Sequence, residues 1–516
     1  MNALQFSPPR RGRRIALACA AWRRALLLAG VAVAAACSSA GPDYQRPDLQ
    51  LPATLAPAPD ALDPVGAAPA GGSAAVPPAS GDQRAEPGGW WQQFAAPDLD
   101  ALIARALREH PGVAAGQAAL RQAEAFVRAQ QGYYAPQLQA AYAGSRQRTA
   151  NVLASPLADS SYVFNLHTLA LDLSYTPDVF GVNRRAVEGL QAGVEQQQAL
   201  LDATRLSLAA NVALAAIQEA SLRAQLDGLL EQLAIQREQL ARSQALQRAG
   251  QLGQADLAVQ EAALATLEAQ QPPLERALGQ TRDLLKALVG AWPEEVLPQR
   301  FTLDRLQLPE PLPLTLPSEL LAQRPDIRAA EAQLRAANAA IGVAAAARLP
   351  SITLGVNSYG ESGSRIADLF RTANSFWTLA GGITQPLFDG GTLREREQAA
   401  RAGYQQAEQQ YRLTVINAFQ NVADALIAVH ADEAALATAR RAEQANRRSL
   451  AIAERQYALG DLGAIALAQL RQGWLQARSQ RIVAEAGRLS DAVALYQALG
   501  AGSPPGAPTN PETGRR

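Results

Sequence analysis

The chain has 516 residues with 47 basic and 47 acidic side chains, a formal net charge of zero. Six of the basic residues are arginines near the start; leaving them aside gives 41 basic against 47 acidic, a net of −6, which argues against a nucleic-acid or polyanion partner. Two cysteines, Cys19 and Cys37, exclude a disulfide-stapled scaffold.

Residues 1–36 read as a lipoprotein signal peptide. Arg10, Arg11, Arg13, Arg14, Arg23 and Arg24 form a basic region with no acid among them, and the apolar run Ala25-Leu26-Leu27-Leu28-Ala29-Gly30-Val31-Ala32-Val33 follows. A spanning helix would need about 20 apolar residues, so this run fits a signal core. Ala34-Ala35-Ala36-Cys37 puts small residues ahead of a cysteine, as in signals whose cysteine is acylated and becomes the mature N-terminus. A covalent lipid on Cys37 is thus the only cofactor expected. Ala34 stands where such signals prefer leucine, and an ordinary cleavage site before an unrelated cysteine is the competing reading. Ser39 is not Asp, so the inner-membrane retention signal is absent. Cys19 leaves with the signal, and the mature chain can form no internal disulfide. Residues 37–89 form the lipidated segment and a Pro/Ala/Gly-rich tether, which lacks the periodic apolar residues that build a core.

From Trp90 the chain is one unit written twice, a first repeat over 90–300 and a second over 301–500, before a 501–516 tail that reads as disordered. Pro111 and Pro136 answer to Pro325 and Pro350 at an offset of 214. Asp178-Val179-Phe180-Gly181 answers to Leu387-Phe388-Asp389-Gly390, Phe to Phe at 208. Gly250-Gln251-Leu252-Gly253 answers to Gly460-Asp461-Leu462-Gly463, and Gly290 to Gly500, both at 210. Four landmarks in one order and nearly one register indicate duplication.

Each copy carries two strands of period-2 pattern. Leu138, Ala140 and Tyr142 pair in kind with Leu169, Leu171, Leu173 and Tyr175; Ile352, Leu354 and Val356 do so with Trp377, Leu379, Gly381 and Ile383. The pattern suits a barrel wall between lipid and water, and equally a half-buried soluble hairpin. Proline-free helices follow, over 183–249 and 392–459; the first has 67 residues and a length of roughly 100 Å at ~1.5 Å per residue. Leu222, Leu226, Leu229, Leu233 and Leu240 space like a coiled-coil seam. Each helix ends at a Gly-x-x-Gly turn and a partner helix returns, from Asp256 to Leu288 with an interruption at Pro272-Pro273, and from Ala464 to Leu499. Four strands are too few for a single-chain barrel, which starts at about eight, and open edges are not tolerated in lipid, so membrane strands here would require several chains.

Gly41-Pro42-Asp43-Tyr44-Gln45-Arg46-Pro47, Trp90-Trp91-Gln92-Gln93-Phe94, Leu316-Pro317-Ser318-Glu319-Leu320-Leu321-Ala322-Gln323-Arg324-Pro325-Asp326-Ile327-Arg328-Ala329-Ala330-Glu331, both Gly turns and Ala418-Phe419-Gln420-Asn421-Val422-Ala423-Asp424-Ala425-Leu426 carry a resemblance. From Cys37 to Gly500 the chain resembles outer-membrane efflux lipoproteins of the TolC superfamily, NodT-type branch. The resemblance implies a mainly α fold with a transmembrane β-barrel: a duplicated helical hairpin plus β-hairpin, three chains closing a 12-stranded barrel continued by a periplasmic α-barrel. It implies a homotrimer in outer-membrane lipid, with a periplasmic adaptor (membrane fusion) protein and an inner-membrane efflux transporter, usually of the resistance-nodulation-division class. The function implied is a passive conduit for small toxic compounds or drugs.

The same resemblance places the adaptor-docking tip and a periplasmic gate at Gly250, Gly253 and Asp256 in the first copy and at Gly460, Gly463, Ile465 and Gln469 in the second. Ala466 and Gln469 stand where relatives often carry Asp, so three chains would give an Asp256 ring and a neutral Gln469 ring, with cation focusing weaker than in relatives. Read without the resemblance, the glycines are turn residues and Asp256 a helix-start residue favoured by the helix dipole. Two other functions compete: a channel for type I protein secretion, and a periplasmic coiled-coil adaptor lipoprotein, which usually has one hairpin and no duplicated strands. His110, His167 and His430 lie far apart in sequence, so neither an enzyme nor a metal site is expected.

Overall fold

The computed structural model describes residues 40–49, 54–55, 89–148, 163–308, 316–317, 322–370 and 374–500. Cys37 with its signal, the rest of the tether and the 501–516 tail lie outside the described residues, as do the side chains of Ala464 and Ile465. The described elements are β1 (Thr54–Leu55), α1 (Pro97–Glu109), α2 (Pro111–Gln131), β2 (Gln137–Arg148), β3 (Val163–Tyr175), α3 (Val182–Arg248), α4 (Gln254–Glu268), α5 (Gln271–Leu288), β4 (Leu316–Pro317), α6 (Pro325–Ala346), β5 (Ser351–Gly363), β6 (Ser375–Thr384), α7 (Thr392–Leu459) and α8 (Ala464–Ala498). They form two compact units, one of residues 40–47, 121–195 and 331–409, the other of 48–120, 196–330 and the chain from 410.

The first unit holds an antiparallel sheet in the order β2-β3-β5-β6, so the β3–β5 pairing joins the two copies. Leu138 faces Leu173, Ala140 faces Leu171 and Tyr142 faces Leu169. Tyr175 faces Leu354 and Leu173 faces Val356, while Ile352, Leu354 and Val356 face Ile383, Gly381 and Leu379. Directly opposed residues share a face, so all four apolar sets fall on one side of the sheet. Both ladders carry an irregularity on β5, between Val356 and Tyr359 against β3 and between Asn357 and Gly360 against β6; each inserts one extra residue there. The apolar face is uncovered: Leu138, Trp377, Leu379 and Ile383 are each about two-thirds or more exposed. Of the two readings of these strands, the half-buried soluble hairpin needs a cover that no described residue supplies.

Helix starts in this unit are fixed by aspartates. Asp178 accepts from the Asn183 and Arg184 N–H groups at 3.1 and 2.7 Å. Asp389 accepts from Gly391 and Leu393 at 2.9 and 2.8 Å. The orphan donors of α3 and α7 are thereby satisfied. These are the Asp-Val-Phe-Gly and Phe-Asp-Gly landmarks, and their glycines take positive φ at Gly181, Gly390 and Gly391.

The segment from Ala40 to Pro47 is strapped to the same unit. The Ala40 N–H donates to the Phe180 carbonyl at 3.1 Å, and Asn338 Nδ2 donates to the Pro42 carbonyl at 3.0 Å. Arg185, buried at 4% exposure, donates to the Ala40 carbonyl at 3.2 Å and pairs with Asp43 at 2.6 Å and Glu188 at 2.8 Å. Gly41 has φ +89, and a Cβ on it would lie 2.6 Å from the Cα of Gly342. Two glycines are therefore needed where the strap crosses α6.

In the second unit, α1 buries Leu99, Leu102, Ile103 and Ala106, one helical stripe, against Ala209, Ala213, Ala216 and Ile217 of α3. Alanine on α3 lets the backbones approach closely. Trp90 stacks on Tyr496 with ring centroids 5.6 Å apart. The tether is not wholly without pairing, since β1 pairs antiparallel with β4, Leu55 opposite Leu316. At Pro272-Pro273 the return helix does break: α4 ends at Glu268, and both prolines sit in the first turn of α5, where no N–H is required. With no proline at the equivalent place, α8 runs unbroken for 35 residues.

Candidate functional site

The two helical turns are built alike. At the first, the Gly250 N–H donates to the Gln247 carbonyl and the Gln251 N–H to the Leu246 carbonyl, both at 2.9 Å. At the second, Gly460 donates to Tyr457 at 3.1 Å and Asp461 to Gln456 at 2.9 Å. This paired closure, with φ of +74 at Gly250 and +83 at Gly460, is a Schellman end that a side chain would strain. Gly253 and Gly463 are extended N-caps of α4 and α8, at φ −70 and −77, and their carbonyls accept from Leu257 and Leu467. Each turn's two glycines thus do different jobs.

Below the first turn, Asp256 is exposed in the opening turn of α4, where the helix dipole favours its charge. Leu229 and Leu233 of α3 pack there against Leu267 of α4, and Arg237 bonds Glu268 at 2.8 Å. Below the second turn, Leu450 and Ala453 of α7 close on Leu467 of α8, with Leu462, Leu470 and Trp474 around them. Gln469, two residues past the buried Leu467, points roughly 200° round the helix from it and is exposed. Ala466 is half-buried, and the Ile465 side chain lies outside the described residues. Asp256 and Gln469 thus sit at separate turns, and among the described residues no hydrogen bond or ion pair joins them.

Residues that the motif reading did not single out tie the hairpins together. Arg478 of α8 pairs with Glu231 of α3 at 2.6 Å while its guanidinium lies 5.7 Å from the centre of the Trp474 ring. Arg481 pairs with Glu443 at 2.6 Å and Arg471 with Glu454 at 3.1 Å, both between α7 and α8. The Trp474/Arg478 spacing of four was legible as a helical pair; its reach to Glu231, 247 residues away, was not. Higher on the same hairpin, burial and a hydrogen bond to Asp491 push the Asp432 carboxyl up to about 6.

The stretch from Leu316 to Glu331 also has its structural account. Arg324 donates to the Ala498 carbonyl at the end of α8 and pairs with Asp326 at 2.8 Å. Arg328 pairs with the buried Asp202 of α3 at 3.2 Å, and Glu331 receives Arg46 of the strap at 3.1 Å.

A family model described as outer membrane efflux protein matches this chain twice, over residues 102–291 and 316–501. The chain belongs to the outer membrane efflux protein family. The efflux protein is 32% identical over 425 residues to the pyoverdine export outer membrane protein OpmQ of Pseudomonas putida, covering 81% of this chain and 89% of OpmQ. It is 33% identical over 367 residues to outer membrane protein OprJ of Pseudomonas aeruginosa, covering 69% and 73%. Among solved structures it is similar to the outer-membrane channel OprN, with a TM-score of 0.77 at 27% identity over 90% of this chain and 99% of that one. The open-state MtrE channel of Neisseria gonorrhoeae gives 0.77 at 28% identity, over 90% and 98%. The efflux protein is therefore an outer-membrane channel component, and the fold class expected from its sequence holds.

Proposed function

We propose that three copies of this chain close a twelve-stranded barrel in the outer membrane and continue it as a periplasmic helical conduit. Through it small toxic compounds pass outward, delivered by an inner-membrane transporter through a periplasmic adaptor that docks on the Gly250 and Gly460 turns. One observation carries this reading: a four-stranded sheet with an uncovered apolar face and two edges, β2 and β6, that pair with nothing described. Lipid welcomes the face, but each unpaired backbone group at an edge costs several kcal/mol there, and pairing β2 of one copy with β6 of the next removes both edges. The conduit is passive and performs no chemistry on what it carries. Relatives at 29 to 32% identity are named for pyoverdine, toluene and antibiotics, which supports choice of cargo elsewhere in the pump.

An acyl lipid on Cys37 completes the reading. Only Ser38 and Ser39 separate Cys37 from Ala40, so the lipid starts within ~10 Å of a residue bonded to Phe180, just past the foot of β3. That is where the inner leaflet would meet the barrel.

The test compares a strain lacking this chain with the same strain expressing it, loaded with a fluorescent efflux dye and, separately, labelled with radioactive palmitate. Expression should restore dye export, and label should enter wild-type protein but not Cys37→Ser. Unchanged dye retention together with restored secretion of a large protein would move the assignment to type I secretion. Label absent from the wild type would end the anchor.

A further inference from the structure

We propose that Arg146 and Arg148 form a binding rim for the phosphate groups of the outer leaflet's glycolipid. The proposal rests on the barrel reading and extends it to a lipid contact. The register sets the heights: on the apolar face, rungs run from Ile352–Ile383 through Leu354–Gly381 and Leu138–Leu173 to Tyr142–Leu169. That is ~26 Å along the strands and ~20 Å in height once a tilt of about 40° is applied, close to the ~25 Å apolar band of outer-membrane barrels.

The rungs then change character. Gly144 faces His167, whose Nδ1 lies 2.9 Å from the Tyr142 hydroxyl with the two rings stacked. This pair, apolar at its body and polar at its tip, marks an interface. Arg146 faces Asn165 and Arg148 faces Val163, so both arginines continue the row of Leu138 and Tyr142 on the lipid side. They stand past the band by four and six residues of β2, the end away from α2 and α3 and hence the outer one. Both are exposed, and neither makes an ion pair among the described residues. The described acid closest to this end of the sheet is Asp368, which lies against Gly363 of β5, opposite His167 and two strands away from β2.

Two guanidinium groups one rung apart, just above an apolar wall, match phosphates held at the top of a hydrocarbon layer. Arginine grips phosphate through two parallel N–H donors, where lysine offers a point charge. A cation this near the apolar band needs either water or a fixed anion, and the headgroup layer supplies the anion.

The experiment uses full-length protein recovered from outer membranes, the double variant Arg146→Gln/Arg148→Gln and the double variant Arg146→Lys/Arg148→Lys, each with wild-type oligomeric state and strand content. Binding to lipopolysaccharide micelles and to phosphatidylglycerol micelles is followed at low and high salt. The wild type should bind lipopolysaccharide more tightly than phosphatidylglycerol, and the Gln pair should lose roughly tenfold or more for lipopolysaccharide, with the Lys pair between them. Equal lipopolysaccharide binding by the Gln pair would overturn the proposal, as would equal wild-type affinity for the two lipids. Wild-type protein found outside the outer-membrane fraction would instead overturn the barrel reading beneath it.

Discussion

Gly41 and Gly342 show how a motif can act through what its residues lack. The strap crosses α6 so closely that a methyl on Gly41 would meet the Gly342 backbone at 2.6 Å, and Gly41 also holds φ +89. Gly41→Ala should therefore release residues 40–47 at a cost of at least ~1 kcal/mol. Hydrogen exchange along that segment should quicken, and unchanged protection would show that the strap tolerates a side chain. Asp432 offers a prediction in pH. Its folded pKa of about 6 lies above the ordinary aspartate value of 3.8, raised first by burial and then by Asp491, so the folded state binds the extra proton. Stability tied to it is fully present below pH 4 and is lost as pH rises through about 6. Asp432→Asn should thus raise the melting temperature at pH 8 by about 2 °C, with the gain vanishing below pH 4. A gain equal at both pH values would assign the effect to packing against Gly487, where a Cβ would lie 3.2 Å from Asp432 Oδ2.

The helical hairpins invite a test of the gate. Both turns close by the same two hydrogen bonds, yet one is followed by the exposed Asp256 and the other by the exposed, neutral Gln469. If Gln469 lines the mouth of the tube, Gln469→Asp adds three charges to one ring of the trimer. Cation selectivity in planar bilayers should rise at 10 mM salt and fade at 1 M, where the Debye length is roughly 3 Å. An unchanged reversal potential at low salt would place Gln469 away from the pore. The hairpins also divide what was readable. Of the leucine seam, Leu222, Leu229 and Leu233 are buried and Leu226 and Leu240 half-buried, since helical periodicity is local. The Arg478–Glu231 and Arg328–Asp202 pairs join elements more than 100 residues apart, and nothing in their immediate sequence distinguishes them from solvated charges.

At the level of the assembly, the uncovered sheet makes the oligomer a physical requirement of membrane insertion. Light scattering of detergent-extracted protein should give three times the protomer mass, and a stable monomer with native strand content would refute barrel closure. Leu379→Arg, on the lipid side of β6, should cost ~2–4 kcal/mol if it sits near the bilayer midplane and should lower trimer recovered from outer membranes. Trimer yield equal to wild type would put that face elsewhere than in lipid.

Much of this protein follows from neighbours in sequence. The period of 2 marks four strands, the absence of proline permits helices of 67 and 68 residues, and Gly-x-x-Gly ends each of them. These are local rules of backbone geometry, and duplication let each be read twice. What the chain alone did not disclose is how differently equivalent residues of the two copies are packed. Phe180 and Phe388 are equivalent in sequence, yet Phe180 is half-buried with the strap bonded to its carbonyl, and Phe388 is 94% exposed. The gathering of four apolar rows onto one face likewise depends on the β3–β5 register. Both features arise from segments far apart in the chain, and no local pattern specifies such pairings; the packing of the folded chain does.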